Sequence, residues 1–172
     1  MADRILVFYG SYRSDRMGIR LADFVVRNLR ERGADAELID ARAVGLPMLD
    51  RMYKEHPKGQ APAALEELAQ KIIGADGFVF VTGEYNWGIQ PGLKNLTDHF
   101  LEEWFWRPAA IASYSAGRFS GARAALAWLA ASAYFATLIT QPPWRRPDPG
   151  AHAHAVEALR VAVFFFNDTA TT

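Results

Sequence analysis

The chain has no cysteine, which excludes disulfides, thiolate metal sites and cysteine nucleophiles. It has no surplus of either charge: Lys plus Arg and Asp plus Glu each number 19, leaving nothing to grip nucleic acid or an anionic membrane non-specifically. No apolar run approaches membrane-spanning length. After Asp3-Arg4 the N-terminus goes straight into Ile5-Leu-Val-Phe8, too short and wrongly flanked for a signal peptide. A cytoplasmic protein without nucleic-acid or membrane partners is therefore expected. The phosphate loop of nucleoside triphosphatases is missing, since no Gly is followed by Lys-Ser or Lys-Thr. The Gly-x-Gly-x-x-Gly fingerprint is missing too, which argues against a standing NAD site of Rossmann type. The four histidines, His56, His99, His152 and His154, show no metal spacing, and no Ser-His-Asp arrangement stands out. Neither a metal site nor a catalytic side chain is expected.

What is present is a chain of 172 residues, 51% apolar, long enough for one domain with a real core. Strands are expected at Arg4–Tyr9, Ala36–Ile39, Phe78–Val81, Ala109–Tyr114 and Thr137–Thr140. Helices fall between them. Gly18, Ala22, Val25 and Leu29 share one face, with Gly33 as a natural stop. Leu65, Leu68, Ile72 and Ile73 make a second stripe after Pro62. Leu93, Leu96, Thr97, Phe100, Leu101 and Trp104 make a third, and Leu126, Leu129 and Ala133 a fourth. A last helix begins in Ala153–Arg160. Five alternations of strand and helix argue for a parallel sheet covered on both faces.

Three loops at the carboxyl edge of that sheet carry the chemistry. The first, Gly10 to Gly18, offers Ser11, Arg13, Ser14 and Arg16 just before a helix. It suits either a phosphate, held by helix amides and guanidinium groups, or an ordinary tight turn with solvated arginines. The central loop follows the buried run Phe78–Val81 and holds Glu84, Tyr85, Asn86 and Trp87, a mix suited to a flat, polar-edged aromatic ligand. Glu84 also reads as a solvated carboxylate, Asn86 as a turn former, and the two aromatics as packing. The third loop, Ser113 to Gly121, supplies small residues and hydroxyls. These three loops, which follow strands one, three and four, converge at the switch point of a sheet of order 2-1-3-4-5, where a flavin mononucleotide binds in such folds.

At Gly10-Ser-Tyr-Arg13 and at Glu84-Tyr-Asn-Trp-Gly-Ile-Gln-Pro-Gly-Leu-Lys-Asn95, completed by Asp98, the sequence resembles the NADPH-dependent FMN reductases. These are flavodoxin-like quinone, azo-dye and chromate reductases. Pro108–Tyr114 and Ser120-Gly-Ala-Arg123 extend the resemblance, which covers about residues 4–140. It implies a flavodoxin-like three-layer sandwich with a five-stranded parallel sheet of order 2-1-3-4-5. It further implies that Ser11, Arg13, Arg16, Met17 and Gly18 hold the phosphate and ribityl end of FMN. Glu84, Tyr85, Asn86 and Trp87 would line the isoalloxazine ring, and Ser115, Ala116 and Gly117 would close its other edge. NADPH would be the co-substrate, and a quinone, azo compound, metal oxyanion or free flavin the small-molecule electron acceptor in a two-step hydride transfer. Family members are commonly dimers or tetramers, with Trp104 to Trp106 as candidates for the subunit contact. The alternative is a non-enzymatic electron carrier of flavodoxin type, which the neutral charge disfavours. Three departures stand out: Gly83 replaces the family's usual proline, Gln90 precedes Pro91, and Ser115-Ala-Gly117 replaces a more glycine-rich turn.

The C-terminus reads differently from the rest. Val163-Phe-Phe-Phe-Asn-Asp-Thr-Ala-Thr-Thr172 has no caps, charge pattern or amphipathic period, and resembles a translated sequencing adapter. The expected organisation is thus one FMN-binding domain over residues 1–162 with an incomplete closing helix, followed by a non-native tail over 163–172.

Overall fold

Side chains along a strand point alternately to its two faces, and β1 (Arg4–Tyr9) buries both sets. Leu6 and Phe8 enter one core and Val7 and Tyr9 another, on opposite sides of the sheet. The computed structural model describes residues 2–105 and 107–130 and, as backbone, 162–167. Over these residues α1 (Ile19–Glu31), β2 (Asp35–Asp40), α2 (Ala41–Val44) and α3 (Ala63–Ile73) lead to β3 (Gly77–Tyr85). Then come β4 (Gly88–Ile89), α4 (Pro91–Asp98), β5 (Ala109–Ser115), helical backbone over 122–130 (α5) and β6 (Ala162–Asn167).

The parallel strands lie in the order β2-β1-β3-β5-β6, with β4 folded back antiparallel on β3. Counting only the parallel strands, this is the expected order 2-1-3-4-5. The outer described parallel strand β6 falls, apart from Ala162, within the segment that reads as foreign in the sequence. Valine and phenylalanine are strong strand formers, and a place beside β5 asks only for extended backbone in register, Ala110 opposite Ala162 to Ser115 opposite Asn167. The strand expected at Thr137–Thr140 and the last helix at Ala153–Arg160 lie outside the described residues, as do His152, His154 and Trp106.

On one face α1 packs Ala22 and Val26 against Val7, Tyr9, Val81 and Ala112. The other face is aromatic: Trp104 meets Phe8, Phe78, Phe80 and Phe100 at centroid distances of 5.1–6.0 Å, mostly edge-on. Trp104 is 5% exposed and belongs to this core.

Two expected stripes are corrected. The helix after Pro91 stops at Asp98, because Leu101 leaves helical geometry (φ −137°, ψ −70°) and a short 3₁₀ turn, Glu102–Trp104, follows. The Trp104 indole N–H then donates to the carbonyls of Thr97 and Phe100, satisfying acceptors at the helix end. In α5, Leu126 is 65% exposed and Leu129 packs partly buried on the core, as expected of it, while Ala124, Ala125 and Trp128 are buried and Ala133 lies outside the described residues. The bulk of Trp128, 4.7 Å from the Phe80 ring centroid, sets which face turns inward.

Candidate functional site

The first loop leaves β1 beside β3, where the sheet order reverses, and runs into α1. No side chain caps α1 and no acidic residue lies in its first turn. The N–H groups of Ile19, Arg20 and Leu21 instead bond the carbonyls of Arg16, Met17 and Gly18 at 3.1–3.2 Å in a tight first turn, and no carboxylate offsets the positive pole of the helix dipole there. Arg13 is exposed in this loop, and its guanidinium has no hydrogen bond or ion pair among the described residues. Arg16 is differently placed. It pairs with Asp40 through both nitrogens at 2.7 and 2.6 Å and donates to the Ser11 carbonyl at 3.2 Å. The hydrogen bond to Asp40 raises its pKa above the usual arginine value. Asp40 also accepts from the Arg42 N–H at 3.0 Å, capping α2. Arg16 is thus a brace between loop and β2 edge, while Arg13 has a guanidinium unpaired among the described residues. Met17 is exposed and Gly18 buried, with Gly18 held against the Tyr114 ring.

The loop sits tightly on the next element. A Cβ on Gly10 would fall 2.2–2.4 Å from Leu93 backbone and Cβ atoms, and one on Gly92 would fall 2.4 Å from the Gly10 carbonyl and the Tyr12 ring. Only glycine permits this approach of two backbones. A cleft of about 340 Å³ opens beside the contact, lined by Gly10, Tyr12, Arg13, Tyr85, Pro91 and Gly92 among others.

The central loop is a two-residue hairpin. Glu84 pairs with Ile89 and Tyr85 with Gly88. Asn86 and Trp87 turn the chain at φ 46° and 68°, the left-handed values of a type I′ turn. For a tryptophan this backbone is rare and strained. Tyr85 hydrogen-bonds Ser11 at 2.9 Å, which joins this loop to the first. Glu84 points the other way: its carboxylate accepts from the Arg123 N–H at 3.1 Å and meets the Arg123 guanidinium at 3.2 Å. In the third loop the Ser115 hydroxyl accepts from the Gly121 N–H at 3.0 Å and donates to the Gly117 carbonyl at 3.2 Å, while Ala116 and Gly117 are exposed.

Beneath the three loops lies a polar floor that the sequence did not announce. Tyr114 accepts from the Gln90 amide at 2.9 Å and lies 3.5 Å from the Tyr9 hydroxyl, and Tyr9 in turn interacts with Ser11. Burial, with the Tyr9 contact second, pushes the Tyr114 pKa well up, and burial raises Tyr9 also, so both hydroxyls keep their protons at neutral pH. Gln90 is fully buried, and its Oε1 has no partner among the described residues.

The same region explains two departures from the family pattern as one. A Cβ on Gly83 would stand 2.6 Å from the Gln90 amide and 2.8 Å from the Tyr114 ring, so the space a proline would fill is taken by Gln90 and Tyr114. Gly83→Ala is expected to cost about 2 kcal/mol of stability by overpacking. In a Gln90→Ala background the cost should shrink, because the displaced amide is gone. Urea unfolding of the two single variants and the double variant measures this coupling; additive costs would contradict it.

The structure therefore brings Ser11, Gly18 and Tyr85 together around Tyr9 and Tyr114, with Arg13 at the rim. It leaves Met17, Asn86, Trp87, Ala116 and Gly117 exposed around the same edge, and commits Arg16 and Glu84 to Asp40 and Arg123. Asp40 was missed, although its place at the carboxyl end of β2 was a usable signal. The pairings over 24 and 39 residues leave no local trace. Among the described residues no cluster of His, Asp and Glu is arranged to hold a metal, and no helix is long and apolar enough to cross a membrane.

Comparison with known proteins places this geometry. Residues 4–144 match the model of the NADPH-dependent FMN reductase family. An NAD(P)H-dependent FMN reductase of Schizosaccharomyces pombe is 38% identical over 122 residues, 64% of this chain and 57% of that protein. A quinone reductase of Escherichia coli is 41% identical over 66 residues, 36% of this chain and 35% of that one. The chain spans 57–64% of the length of three curated FMN reductases it matches. Among solved structures, the flavoenzyme NAD(P)H:(acceptor) oxidoreductase FerB of Paracoccus denitrificans superposes with a TM-score of 0.64 at 22% identity, covering 78% of this chain and 72% of that one. A flavodoxin mutant of Pseudomonas aeruginosa gives 0.54 at 12% identity over 98% of this chain and 87% of its own. The fold is flavodoxin-like.

Proposed function

Because the chain belongs to the NADPH-dependent FMN reductase family, we propose that it is an NAD(P)H-dependent FMN oxidoreductase acting on small-molecule electron acceptors, quinones foremost. The observation that carries this reading is the exposed Arg13, without a hydrogen bond or ion pair among the described residues, beside the acid-free start of α1, set where the sheet order reverses. That donor set fits a phosphate monoester, and the hairpin and third loop beside it leave room for a flat ring.

In this reading Arg13 and the backbone N–H groups of Met17 and Gly18 hold the phosphate, and Ser11 orients the ribityl end. Arg16 keeps the loop in shape through Asp40. Tyr85, Asn86 and Trp87 line the ring on one side and Ser115, Ala116 and Gly117 on the other, while Glu84 fixes the hairpin to α5. Bound FMN would supply the redox chemistry, the exchange of hydride with NAD(P)H and of electrons with a quinone, azo compound, metal oxyanion or free flavin. The chain's own part is binding, orientation and a floor of protonated hydroxyls, with no side-chain acid or nucleophile. Subunit association as a homodimer or homotetramer, in the cytoplasm, belongs to the same proposal.

The experiment is NADPH oxidation by the FMN-loaded protein with and without a simple quinone. Quinone-dependent turnover is expected. Protein that holds FMN but leaves NADPH untouched, while a separate reductase reduces it readily, would point to an electron carrier instead.

A further inference from the structure

Arg123 stands at the start of α5, outside the residues assigned above to the flavin. Its guanidinium lies over two aromatic rings, 3.9 Å from the Trp87 centroid and 4.7 Å from the Phe119 centroid. Its Nη1 also reaches Glu84 Oε1 at 3.2 Å, and its backbone N–H reaches Glu84 Oε2 at 3.1 Å. The Glu84 side chain is only 11% exposed, so the pair is poorly screened by solvent. One side chain thus grips the hairpin twice, by a carboxylate at its base and by an indole at its tip.

The tip has little else to hold it. Trp87 is 70% exposed and carries a left-handed φ of 68°. Among the described residues the Arg123 guanidinium is its only ring or polar side-chain contact. A strained backbone persists only where surrounding contacts over-determine it. Here those contacts are two hairpin pairs behind the turn and one cation on the indole.

We propose that Arg123 is a positioning residue: it latches Trp87, and with it the hairpin tip, in the shape the ring end of the site needs, coupling the central loop to the third. The functional half of this inference rests on the FMN reading; the latch itself does not. A defect at the ring end has a signature that a phosphate defect lacks. It weakens FMN and riboflavin, which has no phosphate, by the same factor.

Three variants test it. Arg123→Met keeps the aliphatic stem and removes the charge, Arg123→Lys keeps the charge, and Trp87→Phe removes the indole. Without any flavin, Arg123→Met is expected to change the near-ultraviolet tryptophan circular dichroism, and to change nothing there in the Trp87→Phe background. With flavin, Arg123→Met should weaken FMN and riboflavin equally, by about 10-fold, and Arg123→Lys should recover part of that. An unchanged tryptophan spectrum, or a change that persists without Trp87, overturns the latch. Weakened FMN with unaffected riboflavin overturns the coupling and moves Arg123 to the phosphate end. If the unsubstituted chain takes up neither flavin, the FMN reading fails, and the dichroism comparison still decides the latch.

Discussion

Gly10→Ala is expected to be among the most damaging small substitutions at the described residues. The added methyl would sit 2.2 Å from Leu93 Cβ, 2.3 Å from its nitrogen and 2.4 Å from its Cα. These atoms belong to the first turn of a helix whose Leu93 and Leu96 are buried, so they cannot yield as a flexible side chain would. Overpacking of this kind costs about 3 kcal/mol, at the upper end of the usual range. For a chain of this size that corresponds to a fall in Tm of about 6–12 °C. The damage is also local to the site, because the displaced backbone is the one that leads to Arg13. Gly117→Ala is the control, since its nearest neighbour is the Ser115 hydroxyl at 3.8 Å. It should change stability by no more than about 0.5 kcal/mol. Scanning calorimetry of the two variants decides the matter; a Gly10→Ala protein melting with the unsubstituted one would refute the close approach of loop and helix.

Arg13→Ala carries the largest expected effect on binding. Arg16 and Arg13 look equivalent in the sequence, yet Asp40 neutralises the first and no described residue neutralises the second. Loss of a charge-assisted contact to phosphate should weaken FMN by on the order of 30-fold, about 2 kcal/mol. Riboflavin should bind the variant as it binds the parent. Added salt should weaken FMN binding to the parent more than to the variant, because the lost interaction is the one that ions screen. Arg16→Ala should also lower stability, since it leaves Asp40 without its guanidinium partner at the edge of β2. Titrations of both flavins against both proteins measure these differences. Equal FMN affinity for parent and Arg13→Ala would move the phosphate away from the first loop.

The contrast between those two arginines shows where the sequence can be read and where it cannot. Strands such as Leu6–Tyr9 and Phe78–Val81 are legible because burial on both faces forces a continuous apolar run, and right-handed crossovers then leave few orders. Helices α1 and α3 are legible because Gly33 and Gly74 mark their ends and Ala22, Leu65, Leu68 and Ile72 of the expected stripes are buried, although Ile73 is exposed. The hairpin at Asn86–Trp87 is not, since its turn lacks the glycine that usually marks a type I′ pair and β4 is two residues long. The end of α4 is hidden too: Phe100 and Trp104 stay on the helical period and are buried although the helix has stopped. The partners of Arg16, Glu84 and Gln90 are set by tertiary contact. Gly83 and Gln90 appear as two unrelated departures in the sequence and become one packing solution only when the amide is seen in the space above the glycine.

The central claim is that three loops at one sheet edge hold FMN, with the phosphate at the start of α1. Its most direct test is the visible absorption spectrum of the purified protein after incubation with FMN and desalting. A retained flavin spectrum in equimolar amount, lost on desalting from Arg13→Ala, is the predicted result. A folded protein that comes off the column colourless, whatever FMN concentration it has met, would contradict it.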